Sequence, residues 1–136
     1  MIRHAGAIRA SLIVLGVIQL VNGLYALLAP RSFYDDFPFG RGWVEALPEY
    51  SEHLVRDVGG LFIGTAVVLL AAARSLDRRL VTVAAASYLC FSLPHTIYHF
   101  LNLGPYDAFD AVANVVTLGA TVVIPAWILA VVRRVD

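Results

Sequence analysis

Apolar residues run along this chain in four long stretches, and polar residues gather between them and toward one end of each. The stretches cover residues 10–29, 54–73, 80–101 and 110–132. A helix rising 1.5 Å per residue needs about 20 apolar residues to cross the hydrocarbon core of a bilayer. Each stretch meets that length. Membrane strands would be shorter and would alternate with a period of two, and no such alternation is present. The pattern predicts an all-α integral membrane four-helix bundle forming a single domain over 1–136.

Composition supports a lipid-embedded chain. Of 136 residues, 60% are hydrophobic and 15% charged, with a mean hydropathy of +0.76. Soluble domains are nearer half apolar and a quarter charged, and disordered chains are less hydrophobic still. Ten basic residues, all Arg, balance ten acidic ones, so no net field draws nucleic acid. The single Cys90 excludes an internal disulfide and a Cys-rich zinc site. The first stretch is longer than the apolar region of a signal peptide, and no A-x-A site follows it, so it reads as a retained span.

The arginines orient the spans. Arg3 and Arg9 precede the first, Arg74, Arg78 and Arg79 join the second to the third, and Arg133 and Arg134 follow the fourth. With four spans these regions share one side, which the positive-inside rule makes cytoplasmic, so both termini face in and the host is the cell membrane. The opposite side collects Asp35, Asp36, Glu45, Glu49, Glu52, Asp57, Asp107 and Asp110 against Arg31, Arg41 and Arg56. There the connection 30–53 is long and holds Phe33, Tyr34, Phe37, Phe39, Trp43 and Tyr50, residues suited to the membrane–water interface. Within it, Arg41–Leu47 is expected to form a short interfacial helix stopped by Pro48, in a segment that anchors in the headgroups or covers a substrate.

Once orientation is set, the polar residues of all four spans fall toward the outer leaflet. Gln19, Asn22 and Tyr25 lie in the outer half of span one; Glu52, His53, Arg56 and Asp57 open span two; His95 and His99 close span three; Asp110 and Asn114 open span four. His53/Asp57, Glu52/Arg56 and His95/His99 are each spaced i, i+4, which puts each pair on one helix face. An ionisable group at the helix centre costs about 2.5–3.5 kcal/mol on insertion scales, so such groups turn inward. The expectation is one interior pocket shared by His53, Asp57, His95 and His99.

That pocket suits several chemistries. His53, His95, His99 and Glu52 are candidate ligands for Zn, Cu or Fe, and paired His would also hold haem. His53, Arg56 and Asp57 form a candidate catalytic proton-transfer unit, with Arg56 to bind an anion. Asn22, Tyr25, Asp110 and Asn114 are candidate cofactor-binding residues. The function expected is binding of a metal or small lipophilic ligand, with redox or proton-transfer chemistry as an extension. The alternative is a non-catalytic accessory protein whose polar groups only fix helix packing. Asp107 or Asp110 also suits a helix N-cap. Gly60-x-x-x-Gly64 would permit close helix approach within the bundle or in a homodimer or larger membrane complex. No E-x-x-H, G-x-S-x-G, H-E-x-x-H or phosphate loop is present.

The run PRSFYDDFPFGRGWVEALPEYSEHLVRDVGGLFIGTAVVLLAAAR, with PHTIYHFLNL and a final DAFDAVAN span, resembles a group of small uncharacterised bacterial four-span membrane proteins over nearly the whole chain. That resemblance implies a fold and topology. The RDVGGLFIGTAVVLL segment is similar to the DoxX-like superfamily, which implies a link to quinone-coupled redox chemistry in some members; no residue here carries that activity over.

The orientation is tested by labelling. With Cys90 replaced, a single Cys at position 45 should react with an impermeant thiol reagent on intact cells, and one at position 77 should not. The reverse pattern would overturn the orientation.

Overall fold

The structure is a computed structural model, described here for residues 4–47 and 49–133. Its described residues are helical without strands: α1 Ala5–Leu28, α2 Pro30–Asp36, α3 Glu52–Ser75, α4 Arg78–Leu101 and α5 Ala108–Arg133. α1, α3, α4 and α5 are each long and apolar enough to cross a membrane, which makes the chain a multi-pass membrane protein. Each matches one of the four stretches, extended by up to five residues where polar groups continue the helix. Leu28, Leu61, Leu101 and Val123, all more than 65% exposed, show the apolar outward surface that lipid requires.

α1 and α3 make the most intimate pair, running antiparallel. The buried residues Ile8, Leu12, Leu15, Gln19, Gly23 and Ala26 recur at three- and four-residue steps down α1, the spacing of a packing seam. At the contact neither Gly23 nor Gly59 has room for a side chain. A methyl on Gly23 would stand 2.8 Å from the Gly59 carbonyl, and one on Gly59 2.7 Å from the Leu27 nitrogen. Small residues let membrane helices approach to backbone contact, where dispersion accumulates.

Two arginines tie the ends of this pair reciprocally. Arg9, near the start of α1, donates Nε to the Ala73 carbonyl in the last turn of α3 at 3.1 Å. Arg56, in the first turns of α3, donates Nη1 to the Leu27 carbonyl at the end of α1. Each satisfies a carbonyl that helix geometry leaves without an intrahelical donor, and places positive charge at the negative end of a dipole.

Within the bundle, Gly60 and Gly64 form no close helix contact, which leaves the approach between chains as the one their spacing would serve. Among the described residues, nothing beyond the chain neighbours and the helix's own backbone lies within 4 Å of a Cβ built on either. Both lie on the exposed face of α3, one residue around the helix from the Gly59 contact.

The apolar core joins all four long helices. It takes Ile8, Leu12 and Leu15 from α1, Leu69 and Ala72 from α3, Val81, Ala85 and Tyr88 from α4, and Ile128 and Val132 from α5. These positions lie toward the end where Leu76 and Asp77 connect α3 to α4. Asp77 caps α4 there, accepting from the Leu80 N–H at 2.9 Å. The other end carries the long connection and most polar residues.

In that connection the helix lies earlier than expected. Pro30 opens α2, its missing N–H harmless at a first helical position. Arg31 pairs with Asp35 at 2.7 Å and Ser32 donates to Asp36 at 2.9 Å. Residues 43–46 form turns, not the expected helix over Arg41–Leu47, because Gly40 and Gly42 adopt left-handed backbone just before them. Pro48, its expected stop, lies outside the described residues, as do Arg3 and Arg134.

Gly23→Leu and Gly59→Val should each destabilise the fold by at least the ~1–3 kcal/mol of an overpacked core, because backbone atoms block the new side chain. Gly60→Ala should cause no loss. Thermal unfolding in detergent reads both, and equal losses at Gly59 and Gly60 would contradict the contact.

Candidate functional site

The loop end of the fold is built around Asp110. The α5 start explains its position: Asp107 is the cap, its Oδ1 accepting from the Asp110 N–H at 2.8 Å. This leaves the Asp110 carboxylate, on a side chain 11% exposed, free to face inward one turn into the helix. Two donors from the long connection meet its Oδ1: Arg41 Nε, and Trp43 Nε1 at 2.9 Å. Arg41 also reaches Asp107 at 3.5 Å and lies over the Phe109 ring at 4.8 Å. The hydrogen bond to Asp110 raises the guanidinium above its ordinary range, so it stays charged. Tyr106 completes the closure by donating its hydroxyl to the Trp43 carbonyl at 2.7 Å. Burial pushes that hydroxyl's pKa up, with Asp110 adding to the effect, so the proton needed for donation is retained.

Beneath this latch lies a series of rings. Tyr106 stacks on His99 at 6.5 Å, His99 meets His95 edge-on at 4.6 Å, and His95 stacks on Phe91 at 5.1 Å. The two imidazoles lie half-buried on the inward face of α4. Asn114, fully buried on α5, lies beside His99 and donates Nδ2 to the Asp110 carbonyl at 3.0 Å. His99 Nδ1 and Asn114 Oδ1 are both buried without a hydrogen-bond partner. A buried polar group left so is costly and calls for an explanation.

The remaining candidates are distributed differently. His53 and Asp57 pair with each other at 3.2 Å, on side chains 83% and 57% exposed. Glu52 and Arg56 pair at 2.9 Å in the same first turns of α3. The expected joining of His53 and Asp57 to His95 and His99 in one interior pocket does not occur. No group of three or more His, Cys, Asp or Glu among the described residues could hold a metal ion, so the set His53, His95, His99 and Glu52 is not assembled. The physical reason is depth: residues 52–57 lie at the rim, where water solvates a charge and nothing forces it inward. Arg56 of the candidate catalytic trio is engaged by Glu52 and the end of α1. Tyr25 shares a hydrogen bond with Ser32 at 2.8 Å, tying α1 to α2, and Asn22 is half-buried on α1.

Sequence reasoning placed Asp110 and Asn114 in the site and left out their partners. Arg41 counted only as a charge, Trp43 only as an interfacial aromatic, and Tyr106 not at all. One signal was available: an Asp one turn inside a span needs a cation, and only three arginines lie on that side.

A family model described as a domain of unknown function (DUF4345) matches residues 7–96, more than half of the chain. The chain belongs to the DUF4345 family. The matched segment contains α2, α3 and most of α1 and α4, including the Gly23–Gly59 contact and His95. His99, Tyr106, Asp110 and Asn114 lie beyond it. Comparison with curated proteins and with solved structures finds no match.

The latch gives a direct expectation. In a Trp127→Phe background, Asp110→Asn or Arg41→Ala should release the connection and make Trp43 fluorescence more accessible to iodide. His53→Ala should leave quenching unchanged. Quenching unaffected by Asp110→Asn would contradict the latch.

Proposed function

We infer that this DUF4345 protein is a multi-pass membrane protein that binds a small lipophilic molecule bearing a hydroxyl or carbonyl, against His99 and Asn114 beneath the Arg41–Trp43–Asp110 latch. The single observation that carries the reading is that His99 Nδ1 and Asn114 Oδ1, on side chains close enough to interact with each other, are each buried without a geometrically formed hydrogen bond. With the imidazole proton on Nδ1 the two atoms pair with each other; with it on Nε2 both accept, and they then form a hydrogen-bonding edge of the kind that orients a donor ligand in an otherwise apolar site. Phe91, Tyr106 and the His95 ring supply flat apolar surface around it. A neutral imidazole in that position also accepts or returns a proton, which is the route by which proton-transfer chemistry would enter.

The membrane orientation belongs to the same proposal. Arg9, Arg74, Arg78 and Arg79 lie at the apolar-core end of the fold, and the acidic residues of α2, α3 and α5 at the latch end. The positive-inside rule then puts both termini in the cytoplasm and the latch on the far side of the cell membrane. The likeness of RDVGGLFIGTAVVLL to DoxX-like proteins adds nothing to the reading, because none of the site residues falls within it.

A second reading is favoured by a different observation. Among the described rim residues, Arg41 pairs with Asp110, Glu52 with Arg56, Arg31 with Asp35, and His53 meets Asp57. Such pairs fix loop and helix positions without chemistry, as an accessory membrane protein would use them.

Mass spectrometry of the protein extracted with its native lipids separates these. Wild type should retain a lipophilic small molecule, and His99→Phe and Asn114→Leu should each lower retention by roughly tenfold, the factor for about 1.4 kcal/mol. His53→Ala should retain it fully. A wild type that retains nothing would leave the accessory reading, and stoichiometric Zn, Cu or Fe lost in His95→Ala would restore a metal site.

A further inference from the structure

We propose that Gln19, Tyr88, Ser92 and Thr121 form a second, separate site within the membrane span, which binds internal water between α1, α4 and α5. Gln19 is 4% exposed and Ser92 1%, and neither Gln19 Oε1 nor Ser92 Oγ has a hydrogen-bond partner. The Tyr88 hydroxyl lies beside the side chains of Gln19 and Thr121. Ser92 follows Tyr88 by one turn, so the two share the inward face of α4. Thr121 already donates to the Leu118 carbonyl at 2.7 Å, which leaves its oxygen able to accept.

The chemistry of this group selects the ligand. Gln19 Oε1 can only accept, Ser92 Oγ and Thr121 Oγ1 can accept, and the Tyr88 hydroxyl can give or take one bond. The Tyr88 proton can serve only one acceptor at a time and Ser92 has a proton of its own to place, so a small neutral molecule that both donates and accepts completes the group. No carboxylate is among them to compensate a cation. Water offers two donors and two acceptors and typically makes about three bonds in such places. Leu15 and Leu12, almost completely buried, precede Gln19 by one and two turns on the same face of α1 and make that side apolar. The site shares no residue with the His99–Asn114 pair, so it stands independently of the ligand proposed there.

The test is water-selective magnetisation transfer to threonine and alanine methyls, by NMR of the full chain in lipid nanodiscs. The Thr121 methyl should receive transfer from water several-fold above the Ala85 methyl, which lies in the apolar core. In the double variant Gln19→Leu/Ser92→Ala, which keeps the Thr121 hydroxyl, transfer should fall to the Ala85 level. Wild-type transfer no greater than at Ala85, or transfer unchanged in the double variant, would overturn the proposal. Should the double variant not fold, the wild-type comparison decides together with Ser92→Ala. That substitution should lower the thermal midpoint by removing a partner of the water, whereas a midpoint that holds or rises would mean Ser92 was merely unsatisfied.

Discussion

The contact of Gly23 with Gly59 is the constraint on which the rest of the fold depends. Where lipid surrounds every helix, apolar burial gives little preference for one helix partner over another, and close packing must supply it. Two glycines at one crossing let the α1 and α3 backbones touch. The reciprocal bonds from Arg9 and Arg56 then set the axial register, because each guanidinium reaches a carbonyl of the last turn opposite only at one alignment. With α1 and α3 held this way, α3 presents Leu69 and Ala72 to α4, and the apolar core closes at that end.

The opposite end is organised by charge. α4 and α5 carry all the buried polar residues described except Gln19 of α1, and the long connection returns across them to deliver Arg41 and Trp43 to Asp110. A carboxylate one turn inside a span would be costly alone. Two donors and a rim position make it tolerable, and in exchange the connection is held in one place. The fold thus divides into an apolar half that supplies cohesion and a polar half that can afford imperfectly satisfied groups. A site needs such a division, since unsatisfied polar atoms are tolerable only on a scaffold stabilised elsewhere.

Much of this was legible in the sequence, and the limits are physical. Span lengths follow from hydrophobicity alone, so all four long helices were readable. The polar end was readable because eight acidic residues and the histidines cluster on one side of the arginine pattern. Side-chain direction was not. The rule that buried charges turn inward was applied to His53 and Asp57, but at residues 52–57 of α3 the chain is already at the rim and the rule loses its force. Gly60-x-x-x-Gly64 drew attention by its spacing, whereas the contact forms at Gly59, whose partner lies 36 residues earlier in sequence and leaves no local trace. The loop helix was misplaced for a similar reason: apolar content suggested Arg41–Leu47, while Pro30 and two i, i+4 side-chain pairs, Arg31–Asp35 and Ser32–Asp36, stabilise α2 instead.

Apart from Asp35, whose Oδ1 is buried without a partner while Oδ2 pairs with Arg31, the described polar residues divide by satisfaction more than by charge. Sequence analysis ranks His53, Arg56 and Asp57 highest because they are ionisable, adjacent and on a predicted span. In the structure each has a partner and stands in reach of water, so none has a demand left for a ligand to meet. Gln19 and Ser92 carry no charge and rank low from sequence, and the equally neutral Asn114 enters there only as a cofactor-binding candidate. Yet each is buried with an atom whose hydrogen-bonding capacity the chain does not use, and His99 joins them. In lipid, where water is not at hand to repair the deficit, such an atom is destabilising unless something fills the place beside it. The neutral groups of the interior are therefore the ones whose surroundings call for a ligand, and the charged groups of the rim are the ones whose surroundings explain the fold.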